Sequence, residues 1–239
     1  MTGEERRAEI AAGLARVEDR ISAACAAAGR DRAEVTLVAV TKTFPASDVA
    51  HLAALGLRDM GENRAADAAA KVEQCRADGL TGLVWHFVGQ LQTNKASVVA
   101  SCADVVHSVD RERLVRALDR AAGDAGRRLR CLVQVDLADQ PDDAARGGAR
   151  PAEVPPLADA LGAAEHLDLA GVMAVAPLGG DPGEAFGRLA LVAEALRRDH
   201  PDAVVVSAGM SGDLEAAVRH GATHLRVGTA LLGSRPSLQ

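Results

Sequence analysis

Lys42 stands directly after a short apolar run, Val35-Thr36-Leu37-Val38-Ala39-Val40-Thr41, where a primary amine could do covalent chemistry. A run that short and β-branched reads as a strand buried on both faces. A lysine at its C-terminal end either faces water as an ordinary surface residue or faces the mouth of a parallel barrel. In the second case partial desolvation favours the neutral amine, a candidate for Schiff-base formation. Two further stretches carry the residue types that hold anions. Ser207-Ala208-Gly209-Met210-Ser211 and Arg226-Val227-Gly228-Thr229 each follow an apolar run and precede a short helical pattern. Small residues let backbone N–H groups approach a ligand, and a helix N-terminus favours negative charge. Each loop alone reads as a turn. On adjacent strands the two form a phosphate cradle of the kind found after strands seven and eight of barrels.

A lysine facing a phosphate cradle points to pyridoxal 5′-phosphate (PLP), which needs an amine, an anion anchor and a partner for its pyridine nitrogen. Arg226 is a candidate for that partner. An arginine keeps its proton, so it would leave the ring nitrogen unprotonated and weaken the ring as an electron sink. The alternative for Arg226 is a barrel-end salt bridge. Asn63 caps the helix that follows it or faces the ring. His86, beside Trp85, is a packed core residue or a catalyst. Lys95 is solvated or binds an anion. His107, His166 and His220 read as structural. Asp136, Asp139, Asp142 and Asp143, with Pro141 among them, read as a solvated loop in preference to a metal site. The four cysteines, Cys25, Cys75, Cys102 and Cys131, form no CxxC pair and read as small core residues.

The elements that must position these residues alternate along the chain. Residues 4–28 carry Ile10, Leu14, Val17 and Ile21 at helical spacing, and Gly29 ends that helix. Strands are expected at 35–40, 57–60, 83–88, 104–109, 129–137, 167–175, 203–207 and 223–227. Helices are expected at 47–54, 64–76, from Thr93 or Asn94 toward Ala100, at 111–122 capped by Asp110, at 152–163, 184–198, 212–220 and 228–232. Eight strands alternating with helices imply a parallel sheet, and that number favours a closed (β/α)8 TIM barrel in a single domain spanning 1–239, the barrel itself over 35–235. Active groups of that fold lie on the loops after the strands.

Composition sets outer limits. The 239 residues are 48% hydrophobic and 25% charged, the balance of a soluble globular protein. A net charge of −6 argues against nucleic acid or an anionic membrane as partner. No basic-then-apolar leader and no run of about 18 apolar residues occurs, a pattern expected of a cytoplasmic protein without a membrane span. With one Trp, three Phe and no Tyr, aliphatic residues must fill the core, and any mechanism that needs a phenol must borrow it.

The sequence resembles the YggS/PROSC family of PLP homeostasis proteins, which share the barrel domain of alanine racemase. The resemblance rests on Leu37-Val38-Ala39-Val40-Thr41-Lys42-Thr43, Gly61-Glu62-Asn63, the specific run His86-Phe87-Val88-Gly89-Gln90-Leu91-Gln92-Thr93-Asn94-Lys95, and His107-Ser108-Val109-Asp110. Leu169-Ala170-Gly171-Val172-Met173-Ala174, Ser207-Ala208-Gly209-Met210-Ser211-Gly212-Asp213 and Arg226-Val227-Gly228-Thr229-Ala230 complete it in family order. The resemblance implies that Lys42 is the Schiff-base lysine and that Ser207, Gly209, Met210, Ser211, Gly228 and Thr229 surround the phosphate, largely through backbone N–H groups. It also implies that Arg226 faces the pyridine nitrogen and that Asn63 lies near the ring. Three positions depart from the family pattern: Arg64 replaces a frequent aromatic, Arg146-Gly147 stands near a frequent Lys-x-Gly, and Ala208 replaces Met or Leu.

The expected function is a PLP carrier or buffer that supports vitamin B6 and amino-acid balance, acting as a monomer, with apo PLP-dependent enzymes as recipients. The absence of Tyr and the short chain after strand eight remove the second base of a racemase of this barrel type. The alternative is a PLP-dependent racemase or related enzyme with Lys42 as one base.

Overall fold

A computed structural model describes residues 2–138 and 147–233 of the chain. Eight strands form a closed parallel barrel in sequence order, β1 to β8. They are β1 Thr36–Val40, β2 Asp59–Glu62, β3 Val84–Phe87, β4 Val105–Val109, β5 Leu129–Gln134, β6 Leu167–Met173, β7 Val205–Ser207 and β8 His224–Val227. The helices are α1 Gly3–Ala27, α2 Ala46–Ala54, α3 Ala65–Ala77, α4 Ala96–Cys102, α5 Glu112–Asp124, α6 Val154–Gly162, α7 Pro182–Asp199, α8 Leu214–Arg219 and α9 Thr229–Leu232. Strands five and six stop at Gln134 and Met173, short of the expected 137 and 175.

Side chains alternate across a strand, and register therefore sorts residues to the two faces of the barrel wall. Val38 is level with Arg226, Val40 with Gly61, Gly61 with His86, and Ser207 with His224. The opposite face carries Leu37, Ala39, Met60, Phe87, Val106, Cys131, Val172 and Leu225, all buried in the main apolar cluster with the helices. The main apolar core of this protein is thus the layer between strands and helices, a smaller separate cluster joins Leu132, Ala170, Met173 and Val205, and polar and ionisable groups share the lumen face with Val38 and Val40. Gly171 is required where β5 and β6 slip register. Its φ is +148°, and a Cβ there would lie 1.9 Å from the Val205 carbonyl oxygen.

Two expected helix caps are not formed. The N-cap of α3 is Arg64 and that of α5 is Arg111, neither with a side-chain cap bond. Asp110 instead pairs with Arg111, which reaches back to the Leu91 carbonyl. Thr93–Lys95 forms a separate 3-10 turn before α4.

Helix α1 does more than precede the barrel. Its N-terminus is closed by a Thr2/Glu5 capping box, and it packs on α2, α8 and α9. Arg6 bonds the buried Asp48 and the Leu232 carbonyl, at 2.7 and 3.0 Å. Arg20 bonds the Ser211 carbonyl at 3.0 Å and pairs with Glu215. Gly13 lies so close to α9 that a Cβ would come 2.2 Å from the Leu231 carbonyl oxygen. The helix therefore braces both loops after strands seven and eight.

Candidate functional site

The strand ends open onto a cavity of about 520 Å3 at the C-terminal mouth of the barrel. Lys42 and Asn63 line it from the first two strands. Met210, Ser211, Arg226, Gly228 and Thr229 line it from the last two. Sequence positions separated by almost the whole chain meet here because β1 pairs directly with β8.

Lys42 is half-buried and sits in a tight turn, with the Phe44 N–H donating to the Thr41 carbonyl at 3.0 Å. Thr43, the next residue, has φ +70°, a left-handed conformation that strains a β-branched residue. The turn is anchored from behind. Lys71 on α3 donates to the Thr41 carbonyl at 2.7 Å and pairs with Glu62, which is 2% exposed. The Thr41 hydroxyl donates to the same carboxylate at 2.6 Å. A buried ion pair with this many bonds fixes geometry more than it adds stability.

The opposite side is built from backbone. Gly209 has φ +88°, and a Cβ there would meet Ala217 Cβ at 2.6 Å and Leu225 Cδ2 at 2.9 Å. Its carbonyl accepts from the Arg226 N–H at 2.9 Å, which ties the two loops together. A Cβ on Gly228 would approach the Val40 carbonyl oxygen to 3.1 Å. The Ser211 hydroxyl accepts from the Ala230 N–H at 3.3 Å, and Asp213 accepts from the Met210 N–H at 2.5 Å. Among the described residues, the N–H groups of Ser211, Gly212 and Thr229 have no backbone or side-chain acceptor. Unpaired donors on two adjoining loops suit an anion with several oxygens.

Arg226 is 5% exposed, and burial lowers its pKa to about 10, a shift opposed by Asp213. It stays cationic at neutral pH. One guanidinium nitrogen donates to the Ala174 carbonyl at 2.8 Å and the other to Ser207 Oγ at 2.6 Å. No carboxylate pairs with it in either bond, so it is not a barrel-end salt bridge. Ser207 is fully buried and lies outside the cavity lining, with its hydroxyl between Arg226 and His107. Gly209 also sits behind the lining.

The remaining residues separate clearly. His86 is buried and bonds His107 and Asp59, at 2.8 and 2.9 Å. Lys95 and Arg64 are exposed. Ala208 is buried. Cys25, Cys75, Cys102 and Cys131 are buried, and desolvation raises the thiol pKa of the last three. Pro141, Asp139, Asp142, Asp143 and Arg146 lie outside the described residues. Thr41, Glu62 and Lys71 were not singled out by sequence as the support for Lys42. His107, expected to be structural, is fully buried outside the cavity lining and bonds His86 and Ser207.

A profile of the alanine racemase N-terminal domain matches residues 14–236. The pyridoxal phosphate homeostasis protein of Mycobacterium tuberculosis is 44% identical over 247 residues, 97% of this chain and 95% of that protein. The protein of the same name from Escherichia coli is 36% identical over 230 residues, 95% of this chain and 97% of that one. This chain belongs to the pyridoxal phosphate homeostasis protein family. PipY of Synechococcus elongatus, solved with PLP bound, superposes with a TM-score of 0.75 at 34% identity, over 89% of this chain and all of that one. The closed barrel is thus a family architecture.

Proposed function

We propose that this protein binds PLP in the mouth of its barrel and holds it as a carrier, in the service of PLP homeostasis. The observation that carries the reading is one cavity lined by a turn-held lysine on one side and by unpaired backbone donors on two loops facing it. The residues present fit the group. Gly209 and Gly228 stand where a side chain would collide with the loop backbone or its packing, and the free N–H groups of Ser211, Gly212 and Thr229 suit a phosphate. When bound, PLP supplies an aldehyde that condenses with a primary amine. Lys42 would provide that amine, Arg226 would donate to the pyridine nitrogen, and Asn63 would border the ring.

The same residues argue for a carrier over a catalyst. Arg226 remains protonated at neutral pH and leaves the ring nitrogen without a proton, which weakens electron withdrawal. The chain contains no Tyr to act as a second base. Apo PLP-dependent enzymes are the recipients this function calls for. Among the described residues no helix is long and apolar enough to cross a membrane.

Titration with PLP and with pyridoxal separates this reading from others. Loss of the phosphate contacts should weaken binding by about 100-fold, or ~3 kcal/mol. Equal affinity for the two ligands would remove the phosphate cradle. A turnover number near the enzyme median of about 10 s⁻¹ on any amino acid would overturn the carrier assignment.

A further inference from the structure

The barrel lumen contains an unbroken hydrogen-bonded line that crosses from β2 to β8. Asp59 Oδ1 lies 2.9 Å from His86 Nε2. His86 Nδ1 lies 2.8 Å from His107 Nε2, and His107 Nδ1 lies 3.0 Å from Ser207 Oγ. Ser207 Oγ accepts from the Arg226 guanidinium at 2.6 Å. His86, His107, Ser207 and Arg226 are buried, and Asp59 is the one partly exposed member, at 27% of its side chain.

Donor and acceptor rules leave one proton order with both histidines neutral. An arginine only donates, so Ser207 Oγ accepts from it and directs its own proton to His107 Nδ1. His107 then carries its proton on Nε2 and donates to His86 Nδ1. His86 carries its proton on Nε2 and donates to Asp59, which as a carboxylate only accepts. The reverse order would leave His86 Nε2 facing a carboxylate lone pair to lone pair. It would also put two donors on Ser207 with no acceptor for its hydroxyl. A cationic order is opposed at His107 by burial and by the facing His86, Arg226, His224 and Arg130, all of which push its pKa down. His224 is not a link: its Nδ1 is 2.9 Å from Thr223 Oγ1, and its ring centroid is 6.2 Å from that of His86.

We propose that Asp59, His86 and His107 are positioning residues for Arg226: a carboxylate at the N-terminal end of the barrel orders a one-way proton chain that holds the guanidinium in a single orientation at the mouth. The consequence for PLP rests on the assignment of Arg226 to the pyridine nitrogen. The proton order does not, because it belongs to the protein without cofactor. Failure of the chain and failure of the PLP reading are therefore distinguishable.

The test is ¹⁵N-detected histidine NMR on the cofactor-free protein at neutral pH. His86 and His107 should each show a neutral ring with the proton on Nε2. In Asp59→Ala the signals of His107 should shift toward a mixture of tautomers, although His107 does not touch residue 59. The Arg226 Nη signals, distinct in the wild type, should broaden together in the same variant. An Nδ1–H tautomer or an imidazolium at either ring in the wild type would overturn the proposal. Unchanged His107 and Arg226 signals in a folded Asp59→Ala protein would do the same, leaving the line as mere packing. The wild-type measurement stands even if the variant does not fold.

Discussion

Thr43 is the non-glycine residue with positive φ among the described residues, and it directly follows the lysine of the site. A β-branched residue held there costs about 1–3 kcal/mol. Thr43→Gly should relieve that strain and raise the melting temperature by about 2–4 °C, a gain of ~1 kcal/mol. Calorimetry checks this; a lower melting temperature would mean the turn is not strained. The price of the strain is a fixed direction for Lys42. The sequence made Lys42 legible because a lysine ending a buried apolar run is unusual. It did not reveal Ser207 as a link in place of a cavity residue. Its hydroxyl meets His107 from a hundred positions away, and no local spacing encodes a contact across a barrel lumen.

At the scale of elements, α3 holds the end of β1 through Lys71. Removing one member of a buried ion pair leaves the other charge uncompensated, at about 3–5 kcal/mol. Lys71→Ala should therefore lower the melting temperature by about 6–12 °C for ~3 kcal/mol, and Glu62→Gln in the same chain should restore part of it. Absence of recovery in the double variant would show that the loss is packing alone. Gly209→Ala tests the cradle from the other side. Its Cβ would enter Ala217 and Leu225 at a left-handed φ, so a loss of about 1–3 kcal/mol is expected in urea unfolding. Strand order was readable from eight apolar runs, whereas the caps of α3 and α5 were not. The polar residues before those helices, Asn63 and Asp110, are directed to the cavity and to Arg111. Nor does the amphipathic pattern of α1 tell that its arginines reach the Ser211 and Leu232 carbonyls.

For the molecule as a whole, a polar lumen ties stability to pH. Burial, reinforced by His86, lowers the pKa of His224 to about 4, and burial with His86 and Arg226 lowers that of His107. An unfolded histidine titrates near 6.5. As pH falls below about 6.5 the unfolded chain takes up protons that the folded one refuses, so stability is complete above that value and falls toward pH 4. His224 alone accounts for about 1.4 kcal/mol per pH unit over that window, ~3 kcal/mol in all. Urea unfolding at pH 7 and pH 4.5 should show the loss, and His224→Gln should flatten it. An unchanged midpoint in the wild type would contradict a neutral buried histidine. A monomer of 24.6 kDa is the expected species in sedimentation.

The amine of Lys42 is the proposed covalent anchor in a phosphate-binding mouth. Borohydride reduction of the PLP-loaded protein, followed by peptide mass spectrometry, tests it most directly. A pyridoxyl group is expected on Lys42, and none in Lys42→Ala. A label found mainly on Lys71 or Lys95 would contradict it.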